Sequence, residues 1–226
     1  MTGINSGSLF RDDIAAVHKP QHHPSEAHLV DYVTGSCDHS WELFIDTHLS
    51  LCAECRDQVA KLRALGGALL EKISYDDLPD GMEERILDLL DSAEITNFPK
   101  PKNLAFPDLP EPVTALLPSD PTGLSWDSDV LAGSDALCLG SVKEKEDDSG
   151  ANYLFLLRIP AGERIFINGE ITELGYLLVL NGGLLSDEGE LSVGDIAGLD
   201  QMCEKHYAVD DLALTYCLLL LTKETK

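Results

Sequence analysis

The sequence predicts two domains, a small all-α domain followed by an all-β sandwich or barrel, and three observations predict it. Up to about residue 96, apolar side chains recur at i, i+3, i+4 and i+7, the spacing of helices with one buried face. From about residue 122 the pattern changes to short apolar runs rich in strand formers, separated by turn residues. Between the two lie Pro99, Pro101, Pro107, Pro110, Pro112, Pro118 and Pro121. Proline at that density reads as an extended, semi-rigid linker. The expected division is a poorly ordered arm at 1–20, a helical domain at 21–96, the linker at 97–121 and a β domain at 122–226. At 226 residues the chain is long enough for each domain to bury a core.

Four helices are expected in the first domain. Pro24-Ser25-Glu26 opens a segment with Leu29, Tyr32 and Val33 on one face, closed at Gly35. Trp41, Phe44, Ile45 and His48 define a second helix, and the pattern leaves open whether the chain turns at 49–51 or continues. Val59, Leu62, Leu65 and Leu69 form a third stripe, which Gly66-Gly67 weakens near its end. Asp80-Gly81-Met82-Glu83 has the form of a capping box, introducing Met82, Ile86, Leu89, Leu90 and Ala93. Such a stripe is either core or a face offered to a partner, and its place between a polar loop and the prolines favours a partner.

In the second half, the runs beginning at Tyr153, Tyr176 and Leu212 read as strands. Pro160-Ala-Gly162, Asn181-Gly-Gly183, Asp187-Glu-Gly189 and Gly194-Asp195 read as turns between them. The stretches 154–157 and 218–221 are too continuously apolar for burial on one side, which places them centrally in a sheet.

The chemistry concentrates in His48-Leu-Ser-Leu-Cys52-Ala-Glu-Cys55. On a helix these three residues share one face and bring an imidazole and two thiols to a point. That donor mixture suits zinc, which needs a fourth ligand in a structural site. His22, His23, His28, Cys37 and His39 all stand close upstream. Without metal, the same cysteines are small buried hydrophobes or a redox pair.

The formal charge is −24, so phosphate backbones are repelled and direct nucleic-acid binding is disfavoured. A basic protein surface is the better-matched partner, and the other reading is that the surplus carboxylates only keep the protein soluble. No apolar run reaches membrane-span length, and residues 1–20 lack the apolar core of a signal peptide. The expectation is a soluble, cytoplasmic protein without membrane association, in which cysteines are ligands or buried thiols.

Several motifs together resemble the ChrR-type zinc-binding anti-sigma factors. They are His-His-Pro-Ser at 22–25 with Leu29, Tyr32 and Gly35, Thr-His-Leu-Ser-Leu-Cys-Ala-Glu-Cys at 47–55, and Gly-Gly-Ala-Leu at 66–69. The second half is similar to that family's cupin-like domain through 159–162, 178–182, 194–196 and Asp200-Gln201. The resemblance implies that the second histidine of the upstream pair completes the zinc site, giving His23, His48, Cys52 and Cys55, with His22 as nearest competitor. It also implies the function: sequestering an extracytoplasmic-function sigma factor until a stress signal releases it. The expected partner surface is Met82, Ile86, Leu89 and Leu90, since an exposed apolar stripe needs covering.

The family's cupin-like half carries a second metal on His-x-His-x3-Glu, and here that pattern breaks. Asn168 and Glu170 occupy the histidine positions, Gly175 the glutamate position, and the downstream histidine falls beside Lys205, next to His206. Asn168, Glu170, Glu173 and His206 form at most a degenerate, weak cation site, so one zinc and no second metal is expected. A metal-dependent cupin enzyme is the alternative reading, disfavoured because the β half has His206 as its sole histidine. A zinc-stabilised adaptor with a ligand-sensing β domain is another.

Overall fold

A computed structural model of the chain describes residues 19–74, 79–92, 106, 109–118, 120–142, 152–167, 174–186, 189–199, 205–209 and 214–222. Most of the expected arm, the loop at 75–78, Ala93 and parts of the linker lie outside the described residues.

Helix α1 (Glu26–Thr34) begins where the Ser25 hydroxyl accepts the His28 N–H at 3.3 Å. This satisfies a donor that the first turn leaves without a helical partner. Helix α2 (His39–Leu51) is capped by Asp38, whose carboxylate accepts the N–H of Ser40 and of Trp41 at 2.7 and 3.1 Å. The question left open at 49–51 resolves one residue later. Cys52 is extended, at φ −115° and ψ 110°, and serves as N-cap of helix α3 (Ala53–Leu70). The His48–Cys55 stretch is therefore a helix–corner–helix, not the single helix on which one-face alignment was argued.

Two of the expected stripes behave differently from core. On α3, Val59 is buried, but Leu65 and Leu69 are exposed, so the stripe leaves the core after Leu62. Helix α4 (Met82–Ser92) exposes Met82, Ile86, Leu89 and Leu90, from 38% to 68% of their surface. Within the proline-rich stretch a one-turn helix α5 (Glu111–Thr114) forms, contrary to a purely extended linker. Pro110 is its cap and Pro112 lies in its first turn, where no N–H is needed for an intrahelical bond. Val113 and Leu117 are buried there.

Among the described residues, nine antiparallel strands make two sheets. They are β1 (Asp135–Val142), β2 (Asn152–Ile159), β3 (Arg164–Ile167), β4 (Leu174–Asn181), β5 (Gly183–Ser186), β6 (Gly189–Ser192), β7 (Ile196–Leu199), β8 (Lys205–Val209) and β9 (Thr215–Thr222). The five-stranded sheet runs β1-β2-β9-β4-β7 and the four-stranded sheet β3-β8-β5-β6. In β9 and β4 the side chains alternate between two cores. Leu177, Val179, Cys217 and Leu219 join Ile165, Leu184, Tyr207 and Val209 in one. Leu178, Leu180, Leu218 and Leu220 pack with Phe44, Val113 and Leu117 in the other. The unbroken leucine runs are thus explained: helices cover the outer face of the larger sheet.

Helix α2 is the shared element. Phe44 faces the sheet, while Ile45 and Leu49 face Leu29, Cys52, Cys55 and Val59 in the small helical core. At its start, Asp38 also accepts a hydrogen bond from the Asn152 side chain at the beginning of β2. Phe44→Ala should therefore cost about 3–5 kcal/mol, the range for emptying a buried aromatic site. Denaturant unfolding measures it, and a loss below about 1 kcal/mol would show that α2 is not held by this contact. Among the described residues no helix is long and apolar enough to cross a membrane.

Candidate metal centre

The corner between α2 and α3 sets three of the four donors. Helix α2 delivers His48 in its last turn, the extended Cys52 turns its thiol inward, and Cys55 follows in the first turn of α3. All three are fully buried. The fourth comes from the segment preceding α1. His23 Nδ1 lies 3.5 Å from Cys52 Sγ and 3.4 Å from Cys55 Sγ, and His48 Nε2 lies 3.3 Å from Cys55 Sγ. One donor atom from each of His23, His48, Cys52 and Cys55 falls within 4.8 Å of every other.

The other upstream candidates are placed elsewhere. His22 turns toward Asp195, with Nδ1 3.4 Å from its carboxylate, and His39 faces Glu42. His28 packs its ring against Trp41 and Tyr176, and Cys37 sits half-buried in the α1–α2 loop.

The donor set fits a tetrahedral ion. Zinc bonds of about 2.3 Å to sulfur and 2.0–2.1 Å to nitrogen give nitrogen–sulfur edges of about 3.5 Å, matching the separations above. The electrostatics agree. Burial, with Cys52 alongside, pushes the Cys55 thiol up to about 12, so paired thiolates here need a compensating cation. Burial likewise holds His48 down to about 4, leaving a neutral imidazole able to donate a lone pair. The His2Cys2 cluster is compatible with zinc.

Around these residues runs a set of contacts from the β half. His48 Nδ1 is 2.9 Å from the carbonyl oxygen of Gly194, in the turn between β6 and β7. The next residue, Asp195, is 1% exposed, and its carboxylate accepts the N–H of Gln21 at 2.6 Å, His22 at 2.8 Å and Ser192 at 2.8 Å. Burial alone would raise the Asp195 pKa, but these amides outweigh it and hold it below the ordinary carboxylate value. The Ile196 N–H in turn reaches the His22 carbonyl at 3.2 Å. Sequence reasoning took Gly194-Asp195 for a turn and part of a family motif. Nothing local to it signals a contact with residues more than 170 positions away.

With this geometry in view, the comparisons with known proteins become informative. No family model matches the chain. The anti-sigma-E factor ChrR of Cereibacter sphaeroides is 29% identical over 185 residues, 81% of either chain. In the crystal structure of Rhodobacter sphaeroides SigE in complex with the anti-sigma ChrR, a chain matches this one at a TM-score of 0.71 with 25% identity. The match covers 90% of this chain and 99% of that one. The chain resembles the ChrR-type anti-sigma factors. In the chain, a helical region is joined to an antiparallel β half of two sheets.

Of the residues expected at a degenerate second metal site, Asn168, Glu170 and Glu173 lie outside the described residues. For His206 the backbone alone is placed, in β8 opposite Phe166. Gly175, at the glutamate position, is packed closely. A Cβ there would lie 3.1 Å from Leu199 Cδ1 and 3.3 Å from Leu221 Cδ2, so a carboxylate side chain would displace both leucines.

Proposed function

We propose that this chain is an anti-sigma factor that binds and sequesters an extracytoplasmic-function sigma factor in the cytoplasm and releases it under stress. The observation that carries the reading is the match to ChrR, the anti-sigma bound to SigE, along 99% of that chain. The strongly acidic composition supports a protein partner over DNA or RNA, and no membrane contact is invoked.

In this reading His23, His48, Cys52 and Cys55 hold one zinc ion, a closed structural site that ties the segment before α1 to the α2–α3 corner. The residues contribute rigidity. His48 and Cys55 are fixed by helices, Cys52 by the cap conformation, and His23 by the anchored segment at residues 21–22. The partner surface is the exposed face of α4, with Met82, Ile86, Leu89 and Leu90 supplying the apolar contact. The β half serves as scaffold and regulatory module, and the chain has no catalytic role.

The test is recovery of bound protein from native cytoplasm, followed by chelation. The expected result is one zinc per chain and an extracytoplasmic-function sigma factor in the complex, released when chelator removes the ion. Recovery without any sigma factor, or equal affinity for it after proven zinc loss, would overturn the reading.

A further inference from the structure

We infer that the β6–β7 turn of the cupin-like half is a working part of the metal centre, with Gly194 and Asp195 as positioning residues for the ligands His48 and His23. The inference rests on the metal reading above and deepens it. A ligating imidazole is normally steered by the hydrogen bond that its other ring N–H donates, which fixes tautomer and ring plane. His48 Nδ1–H donates that bond to the Gly194 carbonyl oxygen, on a turn outside the helical region altogether. His23 is steered through its backbone. Asp195 gathers the amides of Gln21 and His22, and Ile196 bonds back to the His22 carbonyl, so the residue before the ligand is held on both sides.

Gly194 is the residue that permits this approach. Its φ is +90°, and a Cβ there would fall 2.5 Å from Pro20 Cγ and 3.4 Å from Leu51 Cβ. Any side chain both strains the turn and pushes it from Pro20 and from the end of α2. Two adjacent residues of the β half therefore set two of the four ligands. Retention of the ion consequently depends on how the β half is seated, which gives changes there a direct route to the helical region.

The experiment uses full-length protein and inorganic zinc. Affinity is measured by competition with a chromophoric chelator for wild type, Gly194→Ala, Asp195→Ala and Gly182→Ala. The last is a control for general destabilisation. Gly182 is also at positive φ, and a Cβ there would clash with the Thr215 hydroxyl on β9 instead of with the segment before α1. Gly194→Ala and Asp195→Ala should weaken zinc binding about 10–100-fold, the usual effect of losing a ligand's supporting contact. Gly182→Ala should change it by less than about threefold even if it unfolds more easily.

A metal-independent readout accompanies this. In zinc-free Asp195→Ala, amide exchange at Gln21 and His22 should accelerate while the β4 and β9 amides keep their protection. Unchanged zinc affinity in both turn variants, or an equal loss in Gly182→Ala, overturns the inference and leaves the metal reading standing. Wild-type protein that takes up no zinc ends both.

Discussion

Replacing Cys52 and Cys55 together by serine is expected to abolish zinc binding and to weaken the hold on the sigma factor by at least about 100-fold, near 2.8 kcal/mol. Both sulfurs are fully buried at the α2–α3 corner, and with His23 they form most of the close donor contacts. Zinc contributes about 10–16 kcal/mol of apparent binding energy in small finger peptides, where it is the main source of folding energy. The consequence here should be more local. Helix α2 stays anchored through Phe44 in the core beneath the five-stranded sheet. Helices α1 and α3 are held by the small core of Leu29, Ile45, Leu49, Cys52, Cys55 and Val59. Metal analysis should fall from one ion per chain to none. Circular dichroism should lose helical signal while the β half remains folded. A double variant that keeps its zinc, or loses it and still grips the sigma factor at wild-type strength, would remove the ion from the mechanism.

Ile86→Asp is expected to leave stability within about 0.5 kcal/mol of wild type, because Ile86 is 45% exposed on a helix whose apolar residues all face outward. Binding of the sigma factor should weaken by at least about 30-fold, the loss typical of a central apolar anchor. The two measurements pull apart the alternatives for this helix. A core residue would lose both folding and binding, whereas an incidental surface residue would lose neither. Leu87, also exposed, extends the same helix surface, so a combined Ile86→Asp and Leu90→Asp variant should bind still more weakly.

How far the chain could be read in advance depended on the range of the interaction involved. The helix spans, the Ser25 start of α1 and the central leucine strands follow from short-range periodicity and capping, and they were legible. So was the His48–Cys52–Cys55 set, because the spacing that concentrates soft donors is itself local. The break at Cys52 was not, since an α-helical and a cornered path place the same three residues near one another. The one-turn helix within the proline-rich stretch was also missed: Pro110 and Pro112 act as breakers on average, yet at a helix start they cost nothing.

By itself the sequence determined where histidines and cysteines concentrate, the four main helices, the long strands β2, β4 and β9, and an acidic charge that disfavours nucleic acid. The tertiary structure alone decided that α2 would be packed on both sides, that α4 would be uncovered by the other described residues, and that a turn of the β half would contact His48 and the segment before His23. These last features arise from contacts between residues far apart in the chain. Their energy depends on three-dimensional proximity, such as Asp195 against the amides of Gln21 and His22, and leaves no periodicity or spacing for a linear reading to find.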